Sequence, residues 1–205
     1  MEKLLMLLCL MGLLSTTYAQ EDKMDKYKRL TKLFAAWDIA KVSGNEPSFS
    51  PLPGFQGGVE FSLANISKEL LLGAGINYSM QGGKSKSYEY IPGGNYGNST
   101  SNLRLNYLNF PVFAHYEKEG HGFFAEAGLQ PGLLLSAKTK GSNSSDIKAD
   151  LKKLDVAVIA GVGYKFKNKI GVGLRVAPGL TNINKNKDQT RARNMVAGLS
   201  ISYSL

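Results

Sequence analysis

Alternation of apolar residues with small or polar ones is the feature that most constrains this chain. In the stretch FFAEAGLQPGLLLSAK, every odd position from Phe123 to Ala137 is apolar, whereas the even positions include Glu126, Gln130 and Lys138. A period of two places the two kinds of residue on opposite faces of a β-strand. One face of this strand therefore needs an apolar environment, and the other face a polar or crowded one.

The same pattern recurs along most of the chain and predicts eight strands. The predicted strands cover residues 34–42, 55–63, 70–80, 103–116, 123–137, 154–166, 170–180 and 195–205. Their connections alternate in length. Residues 43–54, 82–102, 138–153 and 182–193 form long connections rich in Gly, Ser, Asn and Lys, whereas residues 64–69, 117–122 and 167–169 form short ones. Alternation of short turns with long loops is typical of an up-and-down barrel in an outer membrane.

The pattern alone leaves open which face of the barrel is outside, because a soluble lipocalin-like barrel has its apolar face inside. Here the face opposite the apolar one consists mostly of Gly, Ser and Ala, which favours a narrow lumen packed by small side chains. Aromatic residues also gather near the predicted strand ends, as in the girdles of membrane barrels. They are Tyr78, Phe110, Tyr116, Phe123, Tyr164, Phe166 and Tyr203. We therefore predict an all-β fold, an eight-stranded antiparallel up-and-down transmembrane β-barrel with its apolar face toward lipid.

The start of the chain has the layout of a secretory signal. A charged beginning and a short apolar run are followed by small residues up to Ala19, the usual order of such signals. We predict that residues 1–19 are a signal peptide cleaved near Ala19. A periplasmic segment over residues 20–32 and a barrel domain over residues 33–205 would follow.

Prolines and one change of phase predict irregular points in the strands. Pro131 and Pro178 each lie about nine residues into a strand, close to the length of one membrane crossing, so we expect kinks or bulges there. Apolar residues move from odd to even positions after Tyr107, shortly before Pro111. This change predicts a bulge near Tyr107.

Three charged residues fall on the small-residue face of the predicted strands. Glu60, Glu126 and Arg175 are expected at similar heights in the lower to middle lumen. Because an unpaired charge in a narrow lumen is costly, we expect these residues to pair or hydrogen-bond. A structural ionic cluster is the main interpretation, and a gated pore or a ligand contact is the alternative. Arg104, Asp155 and Lys165 are expected nearer the rims, in water.

Basic residues concentrate in two of the long loops. They are Lys138, Lys140, Lys148, Lys152 and Lys153 in the first, and Lys185, Lys187, Arg191 and Arg193 in the second. The formal net charge of the chain is +9, which on an exported protein favours anionic lipid head groups over nucleic acid. Facing outward, these loops are placed to bind the phosphates of lipopolysaccharide. Ordinary solvated loops are the alternative.

The chain offers little for catalysis or for metal binding. Its two histidines, His115 and His121, flank a short predicted turn and lack a legible Ser or Asp arrangement. Without cysteines or an acidic cluster nearby, they make a poor metal site. We therefore predict no enzyme activity, no catalytic residues, no metal and no cofactor.

A resemblance to a known family rests on five runs of sequence and on their order. The runs are LNYLNFPVFAHY, FFAEAGLQPGLLLSAK, LDVAVIAGVGYKF, IGVGLRVAPGLTNI and VAGLSISYSL. With them the chain resembles the PorT-like outer-membrane β-barrel family, often labelled porin-family proteins, over about residues 33–205. The resemblance implies an eight-stranded outer-membrane barrel that the barrel-assembly machinery inserts, with no enzyme activity. The chain departs from the family at Trp37 and Asp38, where small residues are usual, and at Leu205, where an aromatic residue is customary.

The expected function follows from the width of the barrel. Eight strands enclose a space that side chains fill, which excludes a wide aqueous pore. We expect a structural or binding role, as a membrane anchor or as an assembly or secretion partner. A narrow channel for small solutes or ions is the alternative, and a soluble lipid binder is the third interpretation. Expected partners are outer-membrane lipids and lipopolysaccharide, the barrel-assembly machinery during insertion, and an envelope protein that the sequence does not identify.

Overall fold

A computed structural model describes residues 31–44, 50–91, 95–118, 121–140, 145–186 and 191–205. The predicted signal peptide, residues 20–30 of the predicted periplasmic segment and Lys187 lie outside these ranges. Residues 31 and 32 of that segment belong to the first strand. No helix among the described residues has the length and hydropathy needed to cross a membrane.

Within the described residues, ten stretches of strand form one antiparallel sheet. They are β1 (Thr31–Gly44), β2 (Leu52–Asn65), β3 (Leu70–Ile91), β4 (Asn95–Asn109), β5 (Val112–Glu117), β6 (Gly122–Lys140), β7 (Ser145–Asp146), β8 (Leu154–Lys165), β9 (Ile170–Pro178) and β10 (Ala192–Ser204). A 3-10 helix, Lys148–Asp150, follows β7.

The sheet closes into a barrel of eight strands. β4 and β5 are two halves of one barrel strand, because both pair with β3 on one side and with β6 on the other. β7 is a short addition that pairs with β6 alone. The first strand, β1, pairs with the last, β10, over thirteen residue pairs from Lys32 with Ser204 to Gly44 with Ala192. The predicted fold class, a closed eight-stranded antiparallel barrel, is confirmed.

The apolar face of the barrel points outward. Leu129, Leu174, Leu199 and Ile201 each expose more than half of their surface, whereas Glu60 on the inner face is fully buried. A lipocalin-like barrel would show the reverse. A continuous apolar outer surface is the arrangement of a barrel that stands in lipid.

Aromatic side chains gather at the end of the barrel that carries the short turns. Phe123 and Tyr164 meet edge to face with ring centroids 5.1 Å apart, and Tyr164 meets Phe166 at 5.0 Å. Tyr116 and Tyr203 are exposed at the same end. This is the position of an interfacial girdle, as the sequence predicted.

Glycines on the inner face make room for larger side chains across the strand pair. Phe113 lies directly opposite Gly73, where an added Cβ would come within 2.8 Å of its ring. Glu60 lies opposite Gly75, with the same clearance of 2.8 Å to its Cγ. The small residues of the alternating pattern therefore leave space for particular large side chains on the neighbouring strand, and the lumen is tightly packed.

The irregularity predicted near Tyr107 exists, but the extra residue lies on the partner strand. Asn106 pairs with Ser136 and Tyr107 pairs with Leu134, which leaves Leu135 of β6 unmatched. Before this bulge the odd-numbered residues of β6 face lipid, as Leu135 does. Beyond the bulge the odd-numbered Ala137 points inward. The phase therefore changes in β6 and not in β4.

The prolines behave differently from one another. Pro178 ends β9, whereas β6 pairs with β8 in regular register through Pro131, so no bulge interrupts that side of the strand. The carbonyl of Pro131 accepts the N–H of Phe110 at 2.8 Å, so the missing N–H of Pro131 also faces the break between β4 and β5. Proline is tolerated there because that strand is interrupted.

One of the predicted long loops is a strand pair. Residues 82–102 were expected to form a loop, but β3 and β4 stay paired up to Ile91 with Asn95. This extension continues beyond Asn102 with Lys140, the last pair of β4 with β6, so it is not part of the lipid-facing wall. Its sequence therefore lacks the alternation that marks the other strands.

The lipid-facing surface makes a direct prediction. Leu174 lies at the centre of β9 and Leu154 at the outer end of β8, and both are exposed. We expect Leu174→Arg to lower the free energy of unfolding by about 2–4 kcal/mol and Leu154→Arg by about 0–1 kcal/mol, because the cost of a charge falls with distance from the bilayer centre. Urea titration of the protein folded into lipid vesicles measures both values. Equal, small effects of the two substitutions would contradict a lipid-facing position for Leu174.

Candidate functional site

The three inward charges predicted from the sequence meet in the lumen. The guanidinium of Arg175 (β9) donates from Nη1 to Glu60 Oε1 (β2) at 2.7 Å and from Nε to Glu126 Oε1 (β6) at 2.6 Å. Both carboxylates and the guanidinium are buried, with side-chain exposures of 0%, 4% and 9%. The fork of Arg175 therefore spans the lumen between strands that are not neighbours in the barrel.

Four further charged or titratable side chains complete this ionic cluster. Lys32 Nζ (β1) lies 2.8 Å from Glu60 Oε2 and 3.4 Å from Glu126 Oε2. Below it, Lys165 Nζ (β8) lies 3.2 Å from Glu117 Oε1 (β5). His115 stands between the two levels, with Nε2 3.3 Å from Glu117 Oε2 and Nδ1 3.6 Å from Glu126 Oε2.

These four members were not predicted from the sequence, for separate reasons. Lys32 had been assigned to the periplasmic segment and Lys165 to the solvated rim, where its side chain is in fact only 17% exposed. His115 and Glu117 continue the inward phase of Phe113, and that phase was the available signal. This signal was missed because the bulge was predicted in β4, which reversed the expected directions of the residues after it.

Aromatic rings line the same part of the lumen. Lys32 Nζ lies 5.6 Å from the ring centre of Phe124 and 5.8 Å from that of Phe113. The imidazole of His115 stacks on Phe124 at 5.2 Å. Cation–π contacts of this kind stabilise cations that have lost their water.

The cluster balances its charges and fills the lumen. Three carboxylates (Glu60, Glu117 and Glu126) face three basic side chains (Lys32, Lys165 and Arg175). A buried charge is tolerated only when it is paired and hydrogen-bonded. The arrangement is therefore a compact ionic plug in the half of the barrel that carries the short turns.

A second polar group lies higher in the lumen and corrects an expectation. Asp155 was expected in water near the rim, but it is 6% exposed. It accepts a hydrogen bond from Asn194 Nδ2 at 2.9 Å and another from the hydroxyl of Thr181. The same Asn194 amide lies 3.3 Å from the hydroxyl of Tyr107. Asp155 thus ties β8 to β10 and to the segment after β9.

An apolar core closes the outer end of the lumen. It contains residues of three strands together with one residue from each of two loops. Its members are Val42, Leu103, Leu105, Tyr107, Leu134, Ala137, Leu151 and Ile183. Leu151 and Ile183 belong to the loops, with exposures of 7% and 1%.

Backbone hydrogen bonds hold these two loops together. We call residues 145–153 and 179–186 the lid. The N–H of Lys152 donates to the carbonyl of Ile183 at 2.8 Å, and the N–H of Lys185 donates to the carbonyl of Asp150 at 3.0 Å. The carbonyl of Lys153 accepts the N–H of Leu134 at 2.7 Å, which fixes the lid to β6. The lid is therefore an ordered part of the fold.

The basic residues predicted as lipid contacts lie at the outer end of the barrel. Lys138, Lys140, Lys152, Lys153, Lys185, Arg191 and Arg193 are exposed there. Lys148 is half-buried, and its ammonium donates to the carbonyl of Leu135 at the bulge, at 2.6 Å. That lysine therefore has a structural task, while the others outnumber the exposed Asp146 and Asp150 of the lid and leave the outer end of the barrel positive.

No group of three metal-ligating side chains suited to a metal ion is present among the described residues. His121, the second histidine, lies in the short turn before β6. The described part of the lumen holds ion pairs and aromatic rings, and His115 is hydrogen-bonded there to Glu117.

The chain, a closed barrel with an apolar exterior and a plugged lumen, matches a known protein family. The family described as "Outer membrane protein beta-barrel domain" matches residues 23–185. The chain belongs to this family. It is an outer-membrane β-barrel protein. A comparison with curated proteins finds no significant match.

Two solved structures are similar to this outer-membrane barrel. Neisserial surface protein A (NspA) has a TM-score of 0.53 and 14% sequence identity, over 85% of this chain and 97% of that chain. Ail, the attachment invasion locus protein of Yersinia pestis, solved with the heparin analogue sucrose octasulfate, has a TM-score of 0.48 and 12% identity, over 87% of this chain and 99% of that chain. The likeness to NspA supports the eight-stranded membrane barrel fold.

The ionic plug makes a prediction about stability. Arg175→Met should lower the free energy of unfolding by about 3–5 kcal/mol, because two buried carboxylates lose their shared partner. Loss of the heat-modifiable gel band of the folded barrel at lower temperature measures the effect. Arg104→Met, which removes a half-exposed arginine of β4, is the matched control and should change little.

A second variant separates unpaired charge from lost volume. Arg175→Met combined with Glu126→Gln removes one cation and one anion and keeps the pair of Lys32 with Glu60. We expect this double variant to recover most of the stability that Arg175→Met loses. A double variant as unstable as the single one would contradict the charge explanation.

Proposed function

We propose that the protein acts as a closed outer-membrane barrel with a structural or binding role, and that it does not conduct solutes. We also propose that it is a PorT-like member of its family, is not an enzyme, and reaches the membrane by cleavage of a signal near Ala19 and insertion by the barrel-assembly machinery. In this role the barrel holds its own outer loops in the membrane, or it binds a protein that takes part in assembly or secretion.

The observation that carries the proposal is closure of the lumen at two separate levels. The ionic plug crosses the barrel at Arg175, and the apolar core seals the outer end with Leu151 and Ile183 of the lid. A solute or ion would have to break paired charges and then displace packed apolar side chains. Both barriers disfavour the narrow channel.

Conductance measurements in planar bilayers test this proposal. The native protein should give no steady openings. Leu151→Ser with Ile183→Ser loosens only the outer level, and Arg175→Ser with Glu126→Ser only the inner one. Because the two levels are in series, we expect each pair alone to stay closed and the four substitutions together to conduct. Steady openings of the native protein would instead establish a channel.

We further propose that the lid binds phosphorylated sugars of lipopolysaccharide. The support is an ordered backbone that holds several exposed cations, among them Lys152, Lys153 and Lys185, on one surface. A rigid array of cations loses little conformational entropy when it binds a polyanion. Ordinary solvated loops would lack this fixed arrangement.

Titration of the detergent-solubilised protein with deacylated, phosphorylated lipopolysaccharide tests the lid. Each cation near an anionic surface contributes about 1 kcal/mol, so Lys152→Ala with Lys153→Ala and Lys185→Ala should weaken binding about a hundredfold at low salt. The matched control, Lys68→Ala with Lys118→Ala and Lys167→Ala, removes the same charge from the short-turn end and should bind normally. Equal binding of the dephosphorylated saccharide would contradict phosphate recognition.

A further inference from the structure

The extension of β3 and β4 forms a two-stranded ribbon above the barrel. We define the ribbon as residues 85–91 of β3 and 95–101 of β4. The pairs run without a register shift from Ser85 with Ser101 to Ile91 with Asn95. At the usual rise per residue, the ribbon extends about 20 Å past the neighbouring strands.

Both edges of the ribbon extend beyond the segments that pair with them in the barrel. On one side a bridge from Ser50 to Lys84 is the outermost contact with the described part of the segment before β2. On the other side β6 ends with the pair of Asn102 and Lys140. Above these points, no strand among the described residues pairs with either edge. A two-stranded ribbon in water is marginally stable and gains from a third strand.

The hydrogen bonds of Lys84 show which main-chain groups point outward. Its carbonyl accepts the N–H of Ser50 at 2.7 Å, and its N–H donates to the carbonyl of Ser50 at 2.8 Å. The main-chain N–H and C=O of Lys84 therefore point away from β4. Those of Asn102, the residue directly opposite, point away from β3. Because direction alternates along a strand, the main-chain groups on the outer edge of β4 belong to Thr100, Asn98 and Tyr96.

The two edges differ in their protection against pairing. Natural proteins guard exposed edges with charges, prolines or bulges. The edge of β3 carries Lys86 and Glu89, whereas β4 has neither a charged residue nor a proline from Asn95 to Asn102. The edge of β4 is thus the one that accepts another strand.

We propose that the outer edge of β4 binds an extended segment of another protein as an added antiparallel strand. Such a strand would occupy the continuation of β6 and would run upward from Lys140. Its N-terminal end would meet the exposed Lys138 and Lys140. The chemistry fits a segment that begins with acidic residues and continues with β-forming ones, held by main-chain hydrogen bonds.

A second copy of this chain fits the edge less well. Two barrels upright in one membrane and related by a two-fold axis would place their β4 edges parallel to each other. Parallel pairs are the less frequent kind. Their positive lids would also approach each other, with unfavourable charge repulsion. A foreign acidic strand meets neither obstacle.

Peptide binding to the complete protein in detergent micelles tests the proposal. The probe is the fluorescent peptide EETVTVT, with KKTVTVT and the reversed TVTVTEE as controls for charge and direction. We expect EETVTVT to bind about tenfold tighter than either control. On binding, the amide hydrogens of Tyr96, Asn98 and Thr100 should become protected from exchange, and those of β3 should not.

Proline substitutions separate the edge from the side chains. Thr100→Pro removes an outward N–H without breaking the pairing with β3, and should weaken binding about tenfold through the lost bond and the blocked approach. Thr100→Ala should bind normally, because the main chain carries the contact. Lys86→Pro makes the same change at the position directly opposite, on the β3 edge, and should also bind normally. Heat-modifiable migration establishes that each variant is folded.

Several outcomes would overturn the proposal. They are no binding of EETVTVT, equal binding by Thr100→Pro, and protection of the β3 amides alone. A dimer that forms with rising protein concentration and is lost in Thr100→Pro would assign the edge to a second copy instead. None of these results bears on saccharide binding by the lid, so the two proposals fail separately.

Discussion

Closure of the backbone ladder is the constraint on which the rest of this structure depends. A strand in lipid has no water for its N–H and C=O groups, so the sheet must pair its first strand with its last. The ladder between β1 and β10 meets this need. With only eight strands the ring is narrow, and whatever points inward must fit and must find a partner. The glycines opposite Phe113 and Glu60, and the shared partners of Arg175, follow from that confinement.

The interior divides into two kinds of filling, and each suits its position. The level with Lys32, Glu60, Glu126 and Arg175 uses charges that neutralise one another. The outer level uses Leu105, Leu134 and loop residues, as the core of a soluble protein does. The loops that supply Leu151 and Ile183 therefore gain an ordered conformation from the barrel, and their lysines gain fixed positions. Closure of the lumen and display of an outer surface are two results of the same packing.

The sequence was sufficient wherever one face of a strand had to be apolar. Alternation of period two predicted the eight strands and the meeting of Glu60, Glu126 and Arg175 at one height, and the small residues of the opposite face predicted which face points outward. Alternation failed as a predictor where neither face of a strand had to be apolar, and where the apolar residues changed from the outer to the inner face. The ribbon continues beyond the end of β6, where no strand among the described residues pairs with it, and its sequence resembles a loop. Leu103 and Leu105 point inward above the ionic plug, so apolar character changed sides there without a bulge in β4.

Long-range pairing in the plug also has a consequence for assembly. Arg175 and Glu60 are 115 residues apart in the chain, and Lys32 and Glu126 are 94 apart. Contacts of such separation form only after much of the chain has been ordered. A sheet that still lacks β9 would carry Glu60 and Glu126 without the guanidinium that they share, and an unpaired carboxylate is costly to move out of water. The plug is thus complete only when β9 has joined the sheet, and we expect an unfinished barrel to stay at the aqueous side of the bilayer.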